Sequence, residues 1–325
     1  MIIEVAVFTT LLILCCASYI QMKSAGGAVL CGLIFAATLL TRMMIAPALF
    51  GAILILLVQK RWKQAAIICG VLAVCLGPYF LRNYSIDGSF IPPRSGWNLL
   101  QGNNPYASKV IPAYNPDLMD IYVSEVMTKE HPEWLDETHP PPVREVDRFF
   151  RDKAWQYMKA HPLETLKLKL LNVLYLFHPR IVPFYSMDEN TVLHLKGESD
   201  IEVTGAPSRG FPAEAGHALY YGFILLTALP GFYLRRKEWR TESIFFLILL
   251  NFTLVYAYHW PATRLRAPLD FILIFYSAVT ITVILSPSLV ILSGAKNLFL
   301  LRSRVNSAKN LLFDKADSSA KSASE

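Results

Sequence analysis

Two arginines two residues apart, Arg264 and Arg266, stand in the short stretch HWPATRLRAP between long apolar runs. A guanidinium is a planar fork of donors that matches phosphate oxygens bidentately, so this pair predicts a lipid phosphate or pyrophosphate as ligand. The same residues also serve to anchor helix ends by snorkelling, and both readings stand at this level. Beside them, His259 and Trp260 offer a contact to a ring or a proton, or together serve as an interfacial anchor. Arg82 and Asn83 follow Gly77-Pro78 at the close of another apolar run. They predict a further basic contact to the same phosphate, or a cap for the exposed carbonyls of a helix end.

A second group lies in GWNLLQGNNPY: Trp97, Asn98, Gln101, Asn103, Asn104 and Tyr106. Amide donors and acceptors beside flat apolar rings are what a sugar needs, hydroxyls taking hydrogen bonds while the ring face stacks. Asn and Gly also simply build turns. The acidic stretch EHPEWLDETHP, with Glu130, His131, Glu133, Asp136, Glu137 and His139, makes a divalent metal chemically possible. Its spacing matches no metal motif, so a solvated loop is the expectation and no metal ligand is assigned. Asn83-Tyr84-Ser85 is formally a glycosylation sequon set close to an apolar run.

The elements that must hold these groups are membrane spans. Of 325 residues, 54% are hydrophobic and only 17% charged, too apolar for an ordinary globular surface. The net charge of +6 raises the question of nucleic acid, but the charges are segregated. Residues 82–217 carry 18 of the acids against 14 bases, while the basic excess sits in short loops and the C-terminal tail. That is the distribution that orients membrane proteins, so membrane lipids rather than nucleic acid are the expected partners. Cys15, Cys16, Cys31, Cys69 and Cys75 all fall in apolar runs and read as buried small hydrophobes.

Residues 2–20 predict a first span, with Glu4 its one charge and no basic leader of a cleaved signal peptide. Runs 25–40 and 43–58 predict a helical hairpin with Arg42 at its tip. Run 65–81 predicts the next span, stopped by Gly77-Pro78. Runs 218–234, 243–258 and 269–285 complete about seven transmembrane helices in an all-α polytopic membrane protein. If the basic clusters at 59–63 and 235–240 are cytoplasmic, residues 82–217 and the loop 259–268 are extracytoplasmic. A multi-pass protein of the plasma (inner) membrane is expected. Within 82–217, positions 163, 166, 170, 174 and 177 are apolar at helical spacing and predict an amphipathic helix lying on the outer leaflet. Val143, Val146, Phe150, Ala154, Tyr157 and Met158 predict a second. Between 83 and 142, Pro, Gly and Asn predict ordered loop with little regular structure. The expected organisation is 1–81 and 218–285 in the membrane, 82–217 outside it, and a partly disordered cytoplasmic tail at 286–325.

Several stretches together resemble one family. They are LLTR at 39–42, LRNYSIDGSFIPP running into GWNLLQGNNPYAS, KAHPLETLKLKLLN, and RLRAP before the last span. The family is that of the integral-membrane GT-C glycosyltransferases related to protein O-mannosyltransferases and the lipid A aminoarabinose transferase. The resemblance implies transfer of a sugar from a polyprenyl-phosphate carrier to a glycan, lipid or protein acceptor on the outer face. It implies that Arg264, Arg266 and Arg82 contact the carrier phosphate. Asn83, Trp97, Asn98, Asn103, Asn104 and His259 would border the sugar or acceptor. The family's catalytic base is an Asp in a first outer loop, and only QMKSA separates the first two apolar runs here. The expectation is therefore the C-terminal part of such an enzyme, truncated, partnered or inactive, with Asp87 and Asp270 as substitutes for the base. The alternatives are a polytopic transporter or flippase of a lipid-linked glycan, which calls for inverted repeats, and a noncatalytic membrane scaffold.

Overall fold

The computed structural model describes residues 2–90, 95–135, 141–186, 191–197, 199–205 and 210–285. The predicted tail at 286–325 and residues Asp136, Glu137 and His139 lie outside them. The apolar runs fold as α1 (Ile2–Gln21), α2 (Ala25–Thr41), α3 (Ala46–Val58) and α4 (Trp62–Asp87), with α10 to α12 following much later in the chain. Ser24 opens α2 by accepting from the Gly27 amide, and a 3-10 turn at Met43–Ile45 opens α3. Gly88, at φ 64°, closes α4 in the left-handed conformation that a side chain disfavours.

Two expectations are corrected here. Helix α4 does not stop at Gly77-Pro78 but continues through Pro78 to Asp87. A proline removes one ladder bond, yet leaving the helix in an apolar setting would strand several backbone groups, so the helix persists. The segment 83–142 is also more regular than its composition implies. It holds α5 (Ser95–Gln101), α6 (Ala107–Val110), α7 (Asp120–Glu130) and 3-10 turns at Pro116–Met119 and Pro132–Leu135. Helices this short are marginal alone and form through packing, which leaves little periodic signal in the sequence.

The two predicted amphipathic helices are present as α8 (Val143–Ala160) and α9 (Pro162–Leu176). Phe150, Ala154 and Met158 of α8 bury against Leu99, Leu100 and Val123. On α9, Leu168, Asn172 and Leu176 are buried, while Leu163, Leu166, Leu170 and Leu174 are 56–81% exposed. A hairpin, β1 (Val192–Lys196) and β2 (Asp200–Thr204), is the one departure from helix among the described residues. Its Leu193 is buried with Tyr106, Val110, Leu118 and Met119.

The chain then returns as α10 (Phe211–Leu234), α11 (Ser243–Tyr258) and α12 (Thr263–Leu285), sharing one apolar core with α1 to α4. Four helices, α1, α4, α10 and α12, are long and apolar enough to cross a membrane. The remaining three are shorter, and at 1.5 Å per residue α2, α3 and α11 reach about 20–26 Å against roughly 30 Å of hydrocarbon. Helices α10 and α12 approach closely at Gly231, where a Cβ would fall 1.9 Å from the Tyr276 carbonyl oxygen.

Charge is confined to the ends of this bundle. At one end Gln59 donates to the Arg240 carbonyl at 3.0 Å, which brings the two basic clusters at 59–63 and 235–240 together. There the buried Glu242 accepts from Arg235 Nε at 2.7 Å and from the Tyr276 hydroxyl at 2.8 Å. At the opposite end Arg42 pairs with Glu4 at 2.8 Å. The described residues between α4 and α10 are carried at that opposite end, since α4 leads into them and α10 leads out. Cys15, Cys16 and Cys31 are buried as expected, whereas Cys69 is exposed on the outward side of α4.

Candidate functional site

Helix α9 carries three differently occupied faces. Successive residues turn roughly 100° about the axis, so 163, 166, 170 and 174 form the exposed apolar row already described. Lys169, Asn172 and Leu176 face α11. On the remaining face, Thr165, Lys167, Leu168, Leu171 and Tyr175 line a cavity of about 380 Å³ closed on its other side by Asn103, Lys109 and Ile111. Tyr157 of α8 and Glu164 also border it, 3.5 Å apart as hydroxyl donor and carboxylate acceptor. Lys167 sits on the helix between the apolar row and the cavity.

The cavity thus joins two ammonium groups, Lys109 and Lys167, to hydroxyls of Ser108, Thr165 and Tyr157 above an apolar floor. Thr165 Oγ1 is buried without a hydrogen-bond partner. A buried hydroxyl left unpaired is uncommon, because losing water without a replacement carries a penalty. Sequence reasoning missed Lys109, Lys167, Thr165 and Glu164 as a group. Their only signal was their place on a predicted amphipathic helix and in the Asn-rich segment, which assigns no shared cavity.

Behind the cavity lies a buried polar network. Lys169 donates to the Tyr258 carbonyl at 2.7 Å and to Asn103 Oδ1, both neutral, and its Nζ lies 5.4 Å from the centre of the Tyr258 ring. Burial among neutral groups pushes its pKa down to about 8. Asn172 donates to the Ala257 carbonyl at 3.1 Å. His259 is held against the Asn98 backbone, and burial, aided by the Lys169 charge, pushes its pKa below the usual range. Gly102 allows this approach, since a Cβ there would meet the His259 carbonyl oxygen at 2.1 Å.

The predicted site residues divide sharply. Asn103 and His259 belong to the network beside the cavity, and Ile111 of the cavity wall packs with Trp260. Asn104 is internal: its amide donates to the Leu100 and Gln101 carbonyls and its oxygen accepts from the Tyr106 amide, so it builds the turn. Asn83 is buried with its amide on the Phe90 carbonyl at 3.3 Å. Trp97 donates to Asp120 at 2.6 Å, and Asn98 alone of the amide group has an exposed side chain.

The arginines part company as well. Arg264 is partly exposed, 3.3 Å from Asp117 and over the Trp260 ring. Arg266 is 1% exposed, and both of its terminal nitrogens have partners. Its Nη1 donates to the Leu176 and His178 carbonyls, both at 3.1 Å, so it caps the end of α9 from another helix. Its Nη2 meets His217 at 3.3 Å, Nε lies 3.4 Å from Asp270, and the guanidinium stacks on Tyr221. In this arrangement Arg266 has no open face for a phosphate, and Asp270 serves as its counter-ion. Arg82 is exposed along α4. Asp87 ends α4, and its side chain lies outside the described residues.

No cluster of three or more His, Cys, Asp or Glu side chains able to hold a metal is found among the described residues. His131 and Glu133 of the acidic stretch instead pair at 2.8 Å, with the imidazole stacked on Trp134. Comparison with models of known families, with curated proteins and with solved structures gives no match to this chain.

Proposed function

We propose that this chain is a multi-pass protein of the plasma (inner) membrane that binds a polyprenyl-phosphate-linked sugar at the outer face and acts as a glycosyltransferase. In this reading all seven apolar helices cross, the basic clusters at 59–63 and 235–240 are cytoplasmic, and residues 82–217 are extracytoplasmic. The observation that carries it is the juxtaposition on α9 of a lysine-lined cavity and an exposed leucine row. A lipid phosphate has the same two parts, an anionic head and an apolar tail. The head is placed between Lys109 and Lys167 with Thr165 as a further donor, and the tail lies along Leu163, Leu166, Leu170 and Leu174.

The sugar then faces Tyr157, Ser108 and Asn103 of the cavity lining. Transfer to a glycan, lipid or protein hydroxyl or amine needs a base within hydrogen-bond reach, and Glu164 at the cavity is the carboxylate placed to supply it. Glu164 replaces Asp87 and Asp270 as the candidate. A transporter reading calls for a site midway along broken spans, whereas the cavity on α9 lies at an end of the bundle.

The test is binding of polyprenyl phosphate to the full chain in nanodiscs, then its release from the hexose-loaded form with a hydroxyl-bearing acceptor supplied: the acceptor oxygen bonds the anomeric carbon, its proton passes to Glu164, and the carbon–oxygen bond to phosphate breaks. Lys109→Gln/Lys167→Gln is expected to weaken binding by roughly 100-fold, the loss of two charge-assisted contacts. Glu164→Gln is expected to spare binding and abolish release. Binding that is absent, or unchanged in the lysine variant, overturns the reading.

A further inference from the structure

The opposite end of the bundle holds a second cavity, of about 500 Å³, which lies within the roughly 300–1,000 Å³ of small-ligand sites. Three bases from three separate stretches line it: Lys23 after α1, Arg61 before α4 and Arg240 before α11. Gln59 and Gln64 add amides, and among the described residues its lining includes no Asp or Glu. Glu242, a buried acid next in sequence to the lining residue Thr241, is already paired with Arg235 and accepts from the Tyr276 hydroxyl. Arg61 is fixed by donation to the Met22 carbonyl, and Gln59 by donation to the Arg240 carbonyl, so two elements of the wall are positioned independently of any ligand.

A general excess of Lys and Arg on one side of a membrane protein does not require this convergence, since loop charges repel and separate when nothing binds them. Gathering three cations around one concavity without an acid is favourable when an anion fills it. We propose that this cavity is a binding site for a phosphate group, presented by the headgroup of an anionic phospholipid of the adjoining leaflet or by a soluble phosphate ester. Arg61 and Arg240 supply forked donors, Lys23 a point charge and the glutamines neutral donors to the remaining oxygens. The site is independent of the outer cavity and of whatever reaction occurs there.

The test uses the full chain in phosphatidylcholine nanodiscs, with bound lipid counted by native mass spectrometry and stability read from the unfolding midpoint. Phosphatidylglycerol is expected to be retained saturably and to raise the midpoint, whereas glycerol 3-phosphate added in solution reproduces both effects if the source is soluble. Lys23→Gln/Arg240→Gln is expected to weaken retention roughly tenfold, as for loss of charge-assisted contacts. The charge-matched control Arg236→Gln/Lys237→Gln, at the same end but outside the cavity, retains it, and Lys23→Arg/Arg240→Lys preserves it. Equal weakening by the two glutamine pairs, or no saturable retention of either probe, overturns the proposal.

Discussion

Lys169 and Tyr258 meet at 2.7 Å, the ammonium of α9 donating to the last carbonyl of α11. Arg266 of α12 does the same for the last carbonyl of α9. The ends of α11 and α9 are thus each capped by a cation from a different helix, where a terminal carbonyl otherwise lacks a partner. These two caps tie α9 to α11 and α12 while its leucine row stays open.

The Lys169 cap has a pH signature. Its folded pKa of about 8 lies below the ordinary 10.5, so the penalty for burying the charge is fully present below pH 8. Between pH 8 and 10.5 the unfolded chain holds a proton the folded chain has released, and stability rises with pH. An unfolding midpoint that climbs over this window in the wild type, and climbs less in Lys169→Met, is the expected result. Identical profiles for the two proteins exclude the assignment.

Arg266→Ala is expected to destabilise by about 3 kcal/mol, because it leaves a partly buried carboxylate, the last carbonyl of α9 and the His178 carbonyl without their partner. Arg266→Lys recovers little, since an ammonium lacks the fork that reaches all of these partners. Arg264→Ala, losing a partly exposed pair with Asp117, is expected to change stability by about 0–1 kcal/mol. Denaturant titration of the three variants in detergent distinguishes them, and a small effect at Arg266 contradicts its structural role.

Gly231→Ala places a methyl group against the Tyr276 carbonyl oxygen and forces α10 from α12. Overpacking of this kind costs about 1–3 kcal/mol. Gly222, with open space around its Cβ position on the same helix, provides the control. The two alanine variants compared by thermal unfolding are expected to separate by that amount, and equal midpoints would show that the two helices part without penalty.

The proposed sidedness rests on the gathering of bases at one end. With the exposed Cys69 replaced by Ala, a Cys at Ser124 is expected to react with an impermeant maleimide in intact cells. A Cys at Lys237 is expected to react only after the membrane is opened. The reverse pattern places 82–217 in the cytoplasm and removes the basis for an outer-face transferase.

The apolar runs, both amphipathic helices and the grouping of basic loops were legible because each is a one-dimensional property: a length, a period or a charge count. The helix through Pro78 was not, since local propensity argues for a stop and only an apolar environment reverses it. Helices α5 to α7 and the hairpin were also hidden, being too short to carry a period and held by Tyr106, Val123, Phe150 and Leu193 from elsewhere in the chain.

Residue order alone determined where hydrocarbon could be met and where charge had to stay out, because burying unpaired charge is expensive along any apolar run. Tertiary structure decided which polar groups remain open to a ligand. Arg266 and Asn104 look as available in the sequence as Lys109 and Lys167 do. The first two close their hydrogen bonds inside the fold, while the other two line a cavity whose walls come from separate stretches of chain. Satisfaction of a donor depends on its partner in space, and that partner is seldom its neighbour in sequence.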